Sequence, residues 1–190
     1  IGKKVMAGLK ISAVVASVKS EFLAGRYGIP LVELGKNDVI DLAIDGADEL
    51  DTSGNLIKGG GGSLLREKII DYASRRFYVL IDESKLVAQL GKFPLPVEIV
   101  PFAYQLTMRF IEELGCEPTI RKFNDNVFST DNGNLIVDCA FGEINDPAWL
   151  DMRLKMIPGV VETGLFSSKT VTGIFVGYAD GSVKDISINP

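Results

Sequence analysis

Histidine is absent from this 190-residue chain, and cysteine occurs only twice, at Cys116 and Cys139. Without histidine there is no imidazole acid–base chemistry and no histidine-ligated metal, and the two cysteines fit neither a CxxC nor a zinc spacing. They read as inert thiols in a reducing cytoplasm. No apolar run approaches the roughly 20 residues that cross a bilayer, so no membrane partner is expected. Basic runs are also missing and the net charge is −5, which argues against a nucleic-acid partner. The chain opens at Ile1, in mid-pattern, with neither a Met nor a signal peptide, and reads as a fragment of a longer polypeptide. Repeats and low-complexity tracts are lacking too. What remains is 46% hydrophobic and 24% charged, an ordinary composition for one large or two small globular domains with a proper core.

The first half alternates apolar runs with helical segments. Ile11–Ser17, Pro30–Leu34, Val39–Ile44 and Phe77–Ile81 read as buried strands, with helices over Glu21–Tyr27, closed by Gly28, and over Ser63–Ser74. Such alternation predicts a parallel sheet with ligands beyond the carboxyl ends of its strands, where Asp45 and Asp82–Lys85 fall. Gly91–Pro101 reads as a proline-punctuated linker. Beyond it the pattern gives a helix over Ala103–Leu114 and strands over Thr119–Phe123, Val127–Thr130 and Leu135–Phe141, the last two joined by Asp131-Asn132-Gly133. Asp146-Pro147 opens a further helix to about Met156. A strand over Val160–Phe166 and a hairpin of Ile174–Tyr178 with Val183–Ile188 complete the chain, the hairpin returning to the first sheet. Phe93 and Trp149 read as core aromatics.

Chemistry concentrates in Asp41–Lys68. Asp45 and Asp48 flank a bend; the plain reading is a turn in which both cap backbone N–H groups. Their place beyond a buried strand and near Lys58 weakens that plain reading and leaves a chemical role open. Lys58 runs into Gly59, Gly60, Gly61 and Gly62. This is no P-loop, which places its lysine last. Four glycines cost chain entropy, whereas bare N–H groups beside a helix N-terminus suit an anion or a developing oxyanion. Glu67 falls off the stripe of Leu65, Ile69, Tyr72 and Ala73. It is either a solvated glutamate or a base, and no cation stands three or four residues away to explain it as a helix ion pair. The helix's positive end favours its ionised form. Lys85 is a solvated loop lysine or a point charge for phosphate, and Lys19 and Ser20 invite the same alternatives.

These segments together resemble the ribose-5-phosphate isomerase A family, through DGADEL (45–50), KGGGGSLLREK (58–68), DESK (82–85), GKFPLPVEIVP (91–101), TDNGN (130–134) and IPGVVETGLF (157–166). They cover nearly the whole chain, in family order. The resemblance implies interconversion of D-ribose 5-phosphate and D-ribulose 5-phosphate through an enediolate, with no metal and no cofactor. It implies Glu67 as the base between C1 and C2, Asp45 in ring opening and hydroxyl proton exchange, and Asp48 orienting it. Lys58 and the amides of Gly59–Gly62 would hold substrate oxygens or the enediolate, and Lys85 the phosphate. The implied fold is an α/β Rossmann-like, mostly parallel sheet (1–96 with 167–190) carrying a smaller α+β, ferredoxin-like insert (97–166). A cytoplasmic homodimer or homotetramer is expected.

One departure stands out. The glycine-threonine-serine-threonine phosphate loop of the family has no counterpart, and the second Ser/Thr-rich loop is reduced to Ala16-Ser17-Val18-Lys19-Ser20. Weak substrate affinity is the expectation for this polypeptide alone. Readings that stay open are a CoA transferase with a glutamate nucleophile, a sugar-phosphate deaminase, and a non-catalytic sugar-phosphate sensor.

Overall fold

Residues 1–35 and 38–186 are described by the computed structural model. In chain order come α1 (Gly2–Met6), α2 (Val18–Arg26), β1 (Ala43–Asp45), β2 (Glu49–Leu50), β3 (Leu56–Ile57), α3 (Leu64–Ala73) and β4 (Phe77–Asp82). There follow β5 (Leu95–Ile99), α4 (Tyr104–Glu112), β6 (Glu117–Ile120), β7 (Lys122–Phe123), β8 (Asn126–Val127), β9 (Leu135–Ala140) and α5 (Pro147–Lys155). The chain ends in β10 (Val160–Thr163), β11 (Leu165–Phe166), β12 (Gly173–Gly177) and β13 (Val183–Ile186).

A mixed α/β fold results. One sheet has the order β1-β4-β12-β13, with β1–β4 and β4–β12 parallel and β12–β13 an antiparallel hairpin. The period-two pattern of Phe77–Asp82 explains its two faces. Phe77, Val79 and Ile81 are buried with Ala43, Ile174 and Val176, while Leu80 and Ile44 stand exposed on the other side. A second, antiparallel sheet runs β10-β5-β9-β6 over its own core of Val97, Ile99, Ile111, Val137 and Leu154. Between them lies the small antiparallel sheet β11-β3-β2. Helix α3 packs against β1, β5 and β10, so it sits in the seam between the two large sheets.

Several expectations change. Ile11–Ser17 and Pro30–Leu34 form no regular strand; a single parallel bridge, Ala13 to Leu31, joins them. Val39–Ile44 narrows to β1, with Ile40 bridged to Ser74 and Val39, Leu42 and Ile44 exposed. The stretch read as a linker holds β5, wholly buried and central in its sheet. Proline removes a donor from a ladder but leaves the acceptor, and Pro96 O accepts the Gly164 N–H at 2.7 Å. The single strand expected over Val160–Phe166 divides at Gly164 into β10 and β11, which join different sheets. A Cβ at Gly164 would come within 2.3 Å of the Lys58 carbonyl oxygen. Trp149 is half exposed rather than core. The final hairpin forms as expected up to Ile186; Ile188 lies outside the described residues.

The Asp146-Pro147 signal is met in full: the Asp146 carboxylate accepts the Trp149 N–H at 2.9 Å, with proline in the first turn. Asp146→Ala is expected to lower the unfolding free energy by about 1 kcal/mol, the usual worth of an N-cap. A urea titration checks this, and turnover should not change because the cap lies away from α3.

Candidate active site

Three charged groups meet where β1, β3 and α3 converge. Lys58, directly after β3, is 2% exposed, and its Nζ lies 2.5 Å from Asp45 Oδ2 and 3.4 Å from Glu67 Oε2. It also donates to Gly46 O at 2.7 Å. Asp45 stands at the carboxyl end of β1, with its other oxygen accepting the Gly46 N–H at 2.8 Å. Asp48 is turned to the glycine run, accepting the Gly60 N–H at 2.7 Å. The aspartates therefore do cap backbone groups, as the plain reading held, and Asp45 also pairs with the buried ammonium.

Glu67 is not a solvated glutamate: its side chain is 16% exposed. The stripe read from the sequence is on the wrong side of the helix. Ile69 and Tyr72 are 55% and 80% exposed, whereas Leu64, Glu67, Lys68 and Asp71 turn inward at a spacing of three and four residues. The inward face of α3 is mostly polar. Burial pushes the Glu67 carboxyl above its ordinary range, against the pull of Lys58. The helix end alone favoured the ionised form; desolvation outweighs it, moving the group toward the pKa a general base needs. For Lys58, burial acts downward, but Asp45 and Glu67 outweigh it and the net shift is upward. The ammonium stays charged.

The glycines are not all free donors. Gly60 N–H is held by Asp48, and Gly62 N–H donates to Gly59 O at 3.0 Å, closing a turn. The Gly61 N–H has no partner among the described residues. Close approach explains the composition: a Cβ at Gly60 would lie 2.5 Å from Asp48 Oδ1, and one at Gly62 2.5 Å from the Phe128 ring. Lys85 is set apart. It borders an open cavity of about 410 Å³ with Ala47, Asp82 and Phe175, and makes no ion pair to the Lys58 cluster among the described residues. At the Ala16–Ser20 segment, Ser17 caps α2 by accepting the Ser20 N–H at 3.1 Å, and the Val18 N–H is taken by Asp131 Oδ2 at 2.9 Å. A carboxylate already occupies that helix end. Among the described residues no cluster of His, Cys, Asp or Glu forms a metal site.

Sequence reasoning missed three contributors. Phe166 places its ring centroid 5.3 Å from Lys58 Nζ and 4.6 Å from Lys68 Nζ, a cation–π contact with each. Arg121 reaches the glycine run from the second sheet. Asp71, one turn beyond Glu67, is 5% exposed, and its Oδ2 has no partner among the described residues. The last was findable, since it lies four residues from Glu67 and shares its face.

The chain has relatives of known kind. The family model "Ribose 5-phosphate isomerase A (phosphoriboisomerase A)" matches residues 12–181. Ribose-5-phosphate isomerase A of Bacillus mycoides is 50% identical over 177 residues, covering 91% of this chain and 80% of the relative. That of Picrophilus torridus is 52% identical over 174 residues, covering 92% and 77%. Among solved structures, ribose 5-phosphate isomerase A from Methanocaldococcus jannaschii superposes with a TM-score of 0.90 at 43% identity, covering 98% of this chain and 83% of that one. A D-ribose-5-phosphate isomerase in complex with phospho-erythronic acid gives 0.92 at 39% identity, covering 98% and 82%.

Asp71 supplies a pH test. Burial, ahead of the opposing pull of Lys58, raises its carboxyl from 3.8 to about 7. The folded state then binds this proton more tightly than the unfolded chain, so the group's contribution to stability is complete below pH 4 and lost as pH rises through 7. At 1.36 kcal/mol per unit the loss approaches ~4 kcal/mol. Asp71→Asn removes the titration. Relative to wild type it should gain stability between pH 4 and pH 8 in urea unfolding; a constant difference across that range would contradict the assignment.

Proposed function

The chain belongs to the ribose-5-phosphate isomerase A family and is a ribose-5-phosphate isomerase; we propose that Glu67 is its proton-transfer base. The observation that carries this is the buried Lys58 ammonium, held between Asp45 and Glu67 at the mouth of the glycine turn. Proton abstraction next to a carbonyl needs a carboxylate with a raised pKa, a fixed cation and donors aimed at the oxygen that becomes negative. The burial-raised Glu67 carboxyl, the enclosed Lys58 ammonium and the Gly61 N–H, without a partner among the described residues, lie within one strand-turn-helix unit and support this reading.

On the open-chain aldose, Glu67 takes the C2 proton and returns it to C1. The electron pair left on carbon moves into the C1–C2 bond, and the carbonyl oxygen becomes an enediolate oxygen. Lys58 neutralises that charge, aided by the Gly61 N–H, as its contact with Glu67 lengthens when the carboxylate protonates. Asp45, within hydrogen-bond distance of Lys58 Nζ, opens the furanose ring and exchanges hydroxyl protons, and Asp48 keeps the turn in register beside it. Lys85 receives the phosphate at the carboxyl end of β4. Its open surroundings and lack of an ion-pair partner among the described residues support a binding role and not a chemical one.

The remaining family expectations belong to the same reading. Residues 97–166 form a ferredoxin-like insert, supported by the antiparallel sheet β10-β5-β9-β6 with α4 and α5, although the boundary at 96/97 falls inside β5. The assembly is a homodimer or homotetramer. Ile44, Leu80 and Val183, exposed on one face of the mostly parallel sheet, supply apolar surface that association would cover. The compartment is the cytoplasm, where two buried free thiols persist.

Glu67→Gln should lower turnover of ribose 5-phosphate by at least ~10²-fold with folding intact, and abolish exchange of the C2 proton into deuterated solvent. Near-normal turnover would remove Glu67 as the base. For Lys58→Ala a comparable fall in kcat is expected; a change confined to KM would make it a binding group only.

A further inference from the structure

The four-glycine run has no side chains with which to hold itself, yet its amides must be aimed. Asp48 ties one end, through the Gly60 N–H at 2.7 Å. The other tie comes from the second sheet. Arg121, between β6 and β7, donates through Nη1 to Gly59 O at 2.7 Å and to Gly60 O at 3.2 Å. Its guanidinium is itself fixed by a two-pronged pair with Asp138 on β9, Nε lying 2.9 Å from Oδ2 and Nη2 bonded to Oδ1. Arg121 is 14% exposed, and a planar fork of this kind has one orientation available.

Peptide planarity converts these contacts into a direction. In a trans peptide the N–H and the C=O point opposite ways. The Gly59–Gly60 peptide demonstrates it: its oxygen faces Arg121 and its N–H faces Asp48. The Gly60–Gly61 peptide also turns its oxygen to Arg121. Its N–H, that of Gly61, therefore points away from the guanidinium. This amide has no partner among the described residues.

We infer that Arg121 is a positioning residue for the isomerisation, fixing the Gly60–Gly61 peptide so that the Gly61 N–H is presented to the enediolate oxygen, with Asp138 as the group that orients Arg121. The inference rests on the reading of the cluster as an isomerase site. It deepens that reading by making the second sheet part of the catalytic geometry. Arg121 never touches the substrate. Its loss lets the glycine turn sample other peptide orientations, which charge development in the transition state feels more strongly than ground-state binding does.

The test uses Arg121→Met, Arg121→Lys and Asp138→Asn, each compared with wild type. For Arg121→Met the expected result is a fall in kcat of roughly 10- to 100-fold, the range for a displaced catalytic group, with KM changed by less than about 3-fold. Inhibition by phospho-erythronic acid, whose carboxylate puts negative charge on a sugar-phosphate frame, should weaken by the same factor as kcat. Arg121→Lys keeps the charge but not the fork, and should fall between. Urea midpoints separate a folding defect, and if Arg121→Met does not fold, Arg121→Lys and Asp138→Asn carry the comparison. Unchanged kcat, a rise in KM alone, or inhibition that does not follow kcat would overturn the inference. Glu67→Gln distinguishes the two levels. Full activity there defeats the isomerase base itself, whereas loss there with full activity in the Arg121 variants defeats only the positioning role.

Discussion

A buried ammonium needs counter-charge, and the site follows from that need. Lys58 is almost wholly enclosed, so an unpaired charge there would be prohibitive. Asp45 and Glu67 provide the compensation. At about 4 Å and an effective dielectric near 20, each unit-charge pair is worth about 4 kcal/mol before desolvation is subtracted. Removing any one member leaves the others wrongly charged for their surroundings. On the proposed mechanism the cluster is poised: when Glu67 accepts a proton, Lys58 loses one of its two anions, and a new negative charge on the substrate restores the balance. In that proposal proton transfer and oxyanion stabilisation are two sides of one electrostatic exchange.

The exchange depends on where α3 is held. Glu67 is flanked by Arg66 and Lys68, and both are anchored in the second sheet and its loops. Arg66 donates to Asn132 Oδ1 at 2.8 Å and to Asp131 O at 2.9 Å, while Lys68 donates to Glu162 Oε1 at 2.8 Å and to Thr163 O at 2.7 Å. Contacts on either side of one residue fix the roll of the helix and hence the direction of Glu67. The Asp131 loop is organised in turn by buried Glu98, whose Oε1 accepts from Thr130, Asn132 and Asn134. The antiparallel sheet is therefore a brace for Glu67, the proposed base, as well as a second core.

The legible parts of this chain were those set by local rules. The strand at Phe77–Ile81, the Asp146 cap, the tight turn at Asp131–Gly133 and the closing hairpin each depend on a few neighbouring residues, and each appears where expected. Also legible was the crowding of Asp45, Asp48, Lys58 and Glu67 into one short segment. The illegible parts depended on distant partners. A run with Pro94, Pro96 and Pro101 looks like a linker until a complementary Gly164 N–H meets it from β10's end. Arg121 is one basic residue among 20 lysines and arginines, and only the folded chain brings it to the glycines.

Helix α3 shows why the two kinds of failure meet at the site. A search for its apolar stripe selects Leu65, Ile69, Tyr72 and Ala73, because amphipathic helices ordinarily bury their greasy side. Here the inward positions are Leu64, Glu67, Lys68 and Asp71, with Asp71 Oδ2 left without a partner among the described residues. Burying these groups costs stability, which the packing of Leu56, Ile57 and Leu64 in the surrounding layers helps to offset. A helix that spent its inward face on leucines would be more stable and chemically silent. A helix that exposes Ile69 and Tyr72 while burying titratable residues at a spacing of three and four is therefore a physical mark of a candidate site, and it is visible only once the packing partner on each side is known.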